Sequence, residues 1–144
     1  MSRDAEGNRP ELAAWPCELA RSDLVVSITH GGQPLPKQRP RFVSKGWAYT
    51  AQRTRYYEKN LQAAFAEAVG LFRSDGKSAF GLRCRFYRSD LVRCDVDNLV
   101  KSIKDAATGV VWADDSQVVE VHARLYRKQE EPRVEVLIYR VRDE

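Results

Sequence analysis

Five aspartates and Lys101 fall within the stretch from Cys94 to Gln117, CDVDNLVKSIKDAATGVVWADDSQ. Asp95 and Asp97 open it two residues apart, Lys101 and Asp105 follow at intervals of four, and Asp114 with Asp115 closes it. Carboxylate oxygens are what a hard divalent cation such as magnesium takes as ligands, and they usually reach it from more than one element. A neighbouring lysine is suited to steadying charge on a phosphate or on a leaving oxygen. Metal-assisted attack on a phosphodiester is the chemistry that such a set supports. Each acid also has an ordinary structural use: Asp97 as a helix N-cap, Lys101 as a bridge from Asp97 to Asp105, Asp114 and Asp115 as a solvated turn. For any acid alone the ordinary use is the better reading. For four acids flanking one helix with a lysine on its polar face, the metal site is.

Such a site needs elements that carry both acid pairs to one place. On a helical wheel Leu99, Ile103, Ala106, Ala107 and Val110 share one face, and Asp97, Lys101, Lys104, Asp105 and Thr108 the other. This predicts an amphipathic helix terminated by Gly109. Upstream, Phe80, Leu82, Cys84 and Phe86 alternate with Gly81, Arg83, Arg85 and Tyr87 as in a half-buried strand. Downstream, Val119, Val121, Ala123 and Leu125 alternate with Glu120, His122, Arg124 and Tyr126 in another. Strands on either side of a packed helix can lie side by side, so the two acid pairs can converge at one edge. If Asp95 ends a strand, its side chain and that of Asp97 point the same way. Trp112 lies in an apolar run and is expected in the core.

In the rest of the chain, Leu24, Val26 and Ile28 alternate in a first strand stopped by Gly31 and Gly32. Residues 32 to 42, GQPLPKQRPRF, contain three prolines and read as an extended, semi-rigid connection with Lys37, Arg39 and Arg41 on one side. Phe42 to Tyr49, with Gly46 in the middle, reads as a short hairpin, and Thr50 as the N-cap of a long helix. In that helix, from Ala51 to about Phe72, Tyr57, Leu61, Ala64, Phe65, Ala68, Val69 and Phe72 recur at helical spacing. Pro132 marks a turn, and Arg133 to Val141 is expected to pair antiparallel with its predecessor, because their connection is too short for a crossover. The sum is one α+β domain over residues 22–144, a mixed or antiparallel sheet with two main helices packed on it. Residues 1–21 have neither period and form an N-terminal extension.

With 144 residues and 43% apolar content, the chain fills one hydrophobic core and not two. Its net charge of +4 favours a polyanionic partner. The local asymmetry says more: from Leu24 to Tyr57 there is no Asp or Glu, while Lys37, Arg39, Arg41, Lys45, Arg53 and Arg55 accumulate. A solvated basic face is the ordinary account of such a run. Rigid prolines and the absence of acids tilt it toward the phosphate backbone of DNA, with Lys37, Arg39, Arg41, Lys45 and Arg53 as the contacts. Three cysteines, Cys17, Cys84 and Cys94, with no CxxC spacing, argue against a disulfide framework and a structural zinc site and for a reducing cytoplasm. His30 and His122 are isolated, so no histidine base or ligand is assigned. No stretch approaches a membrane span, and the protein is expected to be soluble.

Taken together, these motifs resemble the RusA family of Holliday-junction resolvases. The resemblance is carried by PLPKQRPRF, by the following AYT and the helix with Tyr57 and Glu58, by DVDNLVKSIKDA and by VWADDSQV, and it covers about residues 24 to 140. It implies a RusA-like fold and a metal-dependent endodeoxyribonuclease that resolves four-way DNA junctions by paired symmetric nicks. It implies magnesium as cofactor, with manganese as a substitute, a homodimer, and a bacterial cytoplasmic setting of phage or prophage origin serving DNA recombination and repair. The family's aspartate triad falls on Asp95, Asp97 and Asp115 as metal ligands and its catalytic lysine on Lys101; Asp115 is chosen over Asp114 on the resemblance alone. A metal that activates water and neutralises phosphate charge makes a histidine base unnecessary. Two other readings compete: a nuclease of broader branch or flap preference, and a protein that binds branched DNA without cutting it.

Overall fold

The computed structural model describes residues 23–37, 45–72 and 75–142, with the backbone alone over residues 45–51. In chain order they form strand β1 (Leu24–Gly31), helix α1 (Lys45–Val69), strand β2 (Ala79–Tyr87), helix α2 (Val96–Ala107), strand β3 (Val118–Tyr126) and strand β4 (Arg133–Val141). The extension expected over residues 1–21 lies outside the described residues, as do Arg39 and Arg41. Two helices and one four-stranded mixed sheet make an α+β fold. Among the described residues no helix is long and apolar enough to cross a membrane.

Helix α1 begins at Lys45, which overturns the hairpin expected through Tyr49 and the capping role expected of Thr50. Gly46, the residue that argued for a turn, sits in the first helical turn. Amides there lack helical partners in any case, and a glycine disturbs little. Further along, Tyr57, Leu61 and Phe65 recur every fourth residue and are buried. The helix ends before Gly70, whose φ of 58° is the left-handed conformation that closes helices.

The sheet order is β1-β4-β2-β3. Strands β2 and β3 are parallel neighbours, with Leu82 opposite Val121 and Cys84 opposite Ala123, so α2 is the crossover of a strand-helix-strand unit. The antiparallel β3–β4 pair that the short connection predicts does not form: β4 lies between β1 and β2, antiparallel to both. Burial explains the placement. Val134, Val136, Leu137, Ile138 and Tyr139 are all buried, so β4 buries side chains of both faces and suits a central place, whereas β3 is mostly exposed and takes the edge. The connection crosses the end of β2 through Gln129 N–H to the Arg88 carbonyl (2.9 Å) and Arg88 N–H to the Tyr126 carbonyl (2.8 Å).

Leu99, Ile103, Ala106 and Ala107 of α2 join Leu61, Phe65, Leu82, Cys84 and Phe86 in one core on the helix side of the sheet. Across the sheet, Tyr139 lies over Gly81, where an added methyl would sit far inside van der Waals contact with the ring. The ring cannot easily withdraw, because its hydroxyl donates to Glu120 and the Arg83 guanidinium stacks on it at 4.7 Å. Gly81→Ala is therefore expected to lower stability by about 1–3 kcal/mol through overpacking. The urea midpoint reads this directly, and an unchanged midpoint would mean that the ring swings aside.

Candidate active site

The site is assembled along the polar face of α2. Asp95 has extended backbone (φ −78°, ψ 124°) and caps the helix, its carboxylate accepting the Asp97 N–H at 3.0 Å. The capping role expected of Asp97 thus belongs to Asp95. The Asp97 carboxylate remains exposed in the first turn, where the positive end of the helix favours an anion.

The other acid pair divides by role. Asp114 caps the short turn Asp115–Gln117, accepting the Ser116 N–H at 3.0 Å, and the Ser116 hydroxyl, followed by this N–H, holds its carboxyl below the usual carboxylate range. Gln117 is buried and ties the turn down: its side-chain oxygen accepts from Ala113 N–H (2.8 Å) and Asp114 N–H (3.1 Å), while its amide donates to the Ser78 carbonyl (2.9 Å). The turn is thereby fixed to the start of β2. Asp115 is left facing α2, with one carboxylate oxygen 3.6 Å from the Lys101 ammonium.

Lys101 pairs with Asp105 at 3.0 Å and with Asp115 at 3.6 Å; the bridge to Asp97 that spacing predicts is not among its ion pairs. The hydrogen bond to Asp105 raises the Lys101 pKa above its ordinary value, with smaller help from Asp115. Asp105 also pairs through its second oxygen with Lys37 at 3.1 Å, and Lys37 in turn pairs with Glu58 of α1 at 2.5 Å. Burial disfavours the charge on both partners. Hydrogen bonds outweigh it, holding Asp105 below and Lys37 above their ordinary values. Five charged groups thus run in a chain from Glu58 through Lys37, Asp105 and Lys101 to Asp115.

Lys37 reaches this chain because residues 33–37 form a strap between the exit of β2 and α2. Gln33 exchanges two hydrogen bonds with Ser89, and the buried Arg88 guanidinium donates to the Pro34 carbonyl while pairing with Asp90 at 3.1 Å. The Ser102 hydroxyl donates to the Leu35 carbonyl (2.9 Å), and Lys37 N–H donates to the Asn98 carbonyl (2.9 Å). The prolines hold this strap extended with fewer donors to satisfy. Of the other basic candidates, Arg53 is exposed on α1, and Lys45 is its first residue, with a side chain outside the described set.

A hard divalent ion fits this donor set in kind. Asp95 and Asp97 are exposed carboxylates, Asp115 is partly exposed, and magnesium keeps several waters and takes one or two carboxylates plus substrate phosphate oxygens. Among the described residues, no three His, Cys, Asp or Glu side chains are gathered closely enough to hold an ion by themselves. Lys101 stands six residues beyond Asp95, about 9 Å along the helix axis, and Asp115 is the acid of the second pair that reaches its ammonium.

His30, half-buried edge-on against Tyr57 (6.1 Å between ring centroids), has its pKa lowered by burial. Cys84 is fully buried, which pushes its thiol well above the ordinary range, and Trp112 is wholly buried. All three do structural work. Sequence reasoning missed the tie from Lys37 to Glu58 and Asp105. Only the four-residue step from Lys101 to Asp105 carried a signal; the others join residues distant in the chain.

A stretch of 47 residues is 51% identical to "Uncharacterized protein YqaN" of Bacillus subtilis (strain 168), covering 33% of this chain and 32% of that protein. The match therefore spans about a third of either chain. The family described as "Endodeoxyribonuclease RusA" matches residues 31–139, which include the strap, both acid pairs, Lys101 and all of the sheet except most of β1 and the end of β4. With that match over most of its length, the chain belongs to the RusA endodeoxyribonuclease family.

Proposed function

We propose that this protein is a magnesium-dependent, structure-specific endodeoxyribonuclease that resolves four-way DNA junctions by paired nicks, acting as a homodimer. The observation that carries the reading is the approach of Asp115 to Lys101 across the β2-α2-β3 crossover, on the helix face that also bears Asp97. Family membership supplies the reaction class. Asp95, Asp97 and Asp115 would hold the ion; once bound, it supplies an activated water and neutralises charge on the phosphate. Lys101 donates to a phosphate oxygen as negative charge grows there, and its pairing with Asp105 aims the ammonium. Exposed Arg53, with Lys45, Arg39 and Arg41, binds the DNA phosphate backbone. Manganese, another oxygen-seeking divalent ion, is expected to substitute for magnesium.

A labelled four-way junction and a linear duplex of the same sequence, each with magnesium and with chelator, test this reading. The expected result is paired nicking of the junction that needs the metal, with the duplex spared. Binding without cleavage under every divalent ion would leave a junction-binding protein, and equal cleavage of the duplex would leave a nuclease without branch preference. Affinity should fall steeply with salt, as counterion release requires.

A further inference from the structure

The strap contradicts the simplest use for Lys37. A lysine that binds DNA phosphate as a point charge is most effective with its ammonium free, yet this one is held between Glu58 at 2.5 Å and Asp105 at 3.1 Å, with its own N–H on the Asn98 carbonyl at 2.9 Å. Asp105 is likewise shared, one oxygen on Lys37 from the strap and the other on Lys101 from its own helix. Two carboxylates against one ammonium leave Lys37 little field with which to attract a phosphate. What the arrangement does supply is connection. The segment entering the basic run is tied through a single carboxylate to the lysine that faces Asp115, and Glu58 ties the same point to α1.

We propose that Lys37 and Asp105 form a clasp: Lys37 is an anchor and not a phosphate ligand, and Asp105 is a positioning residue that sets Lys101 against Asp115 while pinning the strap to α2. This rests on the reading of Lys101 as the lysine that steadies phosphate charge. Glu58 balances Lys37, so the strap can use Asp105 without drawing it away from Lys101. The strap is thereby mechanically joined to the reacting centre. An error in the strap would be felt as a misplaced lysine.

Three measurements on the full chain test the clasp. Junction affinity across a salt series, with chelator present, is taken for the unaltered protein and for Lys37→Met. An anchor leaves the slope of log affinity against log salt unchanged, whereas loss of a phosphate contact reduces it by about 1. Single-turnover cleavage at saturating junction should fall about 10- to 100-fold in Asp105→Asn and in Lys37→Met, as for other residues that orient a reacting group from behind. The double variant should fall no further than the worse single one. Finally, modification by an amine-directed reagent, read lysine by lysine in the mass spectrometer, should rise several-fold at Lys37 and Lys101 in Asp105→Asn and stay level at exposed Lys59 and Lys77. A reduced salt slope with full cleavage in Lys37→Met overturns the clasp, and so does unchanged labelling in Asp105→Asn. If the unaltered protein cuts nothing, the proposed activity fails, but slope and labelling still decide the anchoring. Should Asp105→Asn fail to fold by circular dichroism, Lys37→Met tests the clasp from its other end.

Discussion

Asp97→Asn should leave four-way-junction binding intact and reduce magnesium-dependent cleavage by about three orders of magnitude or more. The amide has the shape of the carboxylate but not the charge that a hard cation selects. Its backbone N–H, which completes the Asp95 cap, is untouched, so α2 should start as before. Metal assistance is worth several kcal/mol of transition-state stabilisation, and each ~1.4 kcal/mol is a tenfold change in rate, which sets the size of the effect. Removing a negative charge beside the DNA should, if anything, tighten binding. Gel-shift titration in chelator and single-turnover cleavage in magnesium, made on the same preparation, separate the two effects. Cleavage near the unaltered rate would remove Asp97 from the site.

Trp112→Ala is expected to cause the largest loss of stability, about 3–5 kcal/mol by analogy with other large-to-small changes of buried aromatic residues. Trp112 is fully buried, packs on Phe80 at 5.8 Å between ring centroids, and donates from its indole N–H to the Thr108 hydroxyl at 3.1 Å. That hydroxyl in turn donates to the Lys104 carbonyl at 2.8 Å, so one side chain ties the end of α2 to the core. For a domain of this size the loss corresponds to a melting-point drop on the order of 10 °C. Asp114 and Asp115 follow two and three residues later, so the same change should also loosen the approach of Asp115 to Lys101. Cleavage below the new melting point should therefore fall, while Phe at the same position restores most of the stability and cleavage. A melt shifted by only a degree or two would mean that the cavity refills.

Much of the fold was legible because local period is written directly in residue order. Strand alternation and helical spacing located β1, β2, α2, β3 and β4 to within a few residues, and the wheel of α2 divided its buried side from its charged side. The start of α1 was not legible: a glycine in a short mixed stretch argues for a turn unless its position in the first helical turn is known. Nor was strand order. A short connection suggests a hairpin, and only burial of β4 on both faces, a property of its neighbours as much as of its own residues, puts it between β1 and β2.

For the candidate site, residue order by itself determined which groups were available: acids before and after one helix, a lysine and Asp105 a turn apart on its polar face, and a proline-stiffened basic run. It left Asp114 and Asp115 equivalent as neighbours in one turn, and it offered Lys37 as a free cation. Tertiary structure separated the first two, because the capping bond of Asp114 to Ser116 and the buried anchor of Gln117 turn Asp115 toward Lys101. It also set Lys37, half-buried, between Glu58 and Asp105. The physical reason is common to both. A charge's partner is chosen by distance through space, and residues 37, 58 and 105 become neighbours only once the strap is laid across α2 and α1 is packed beside it.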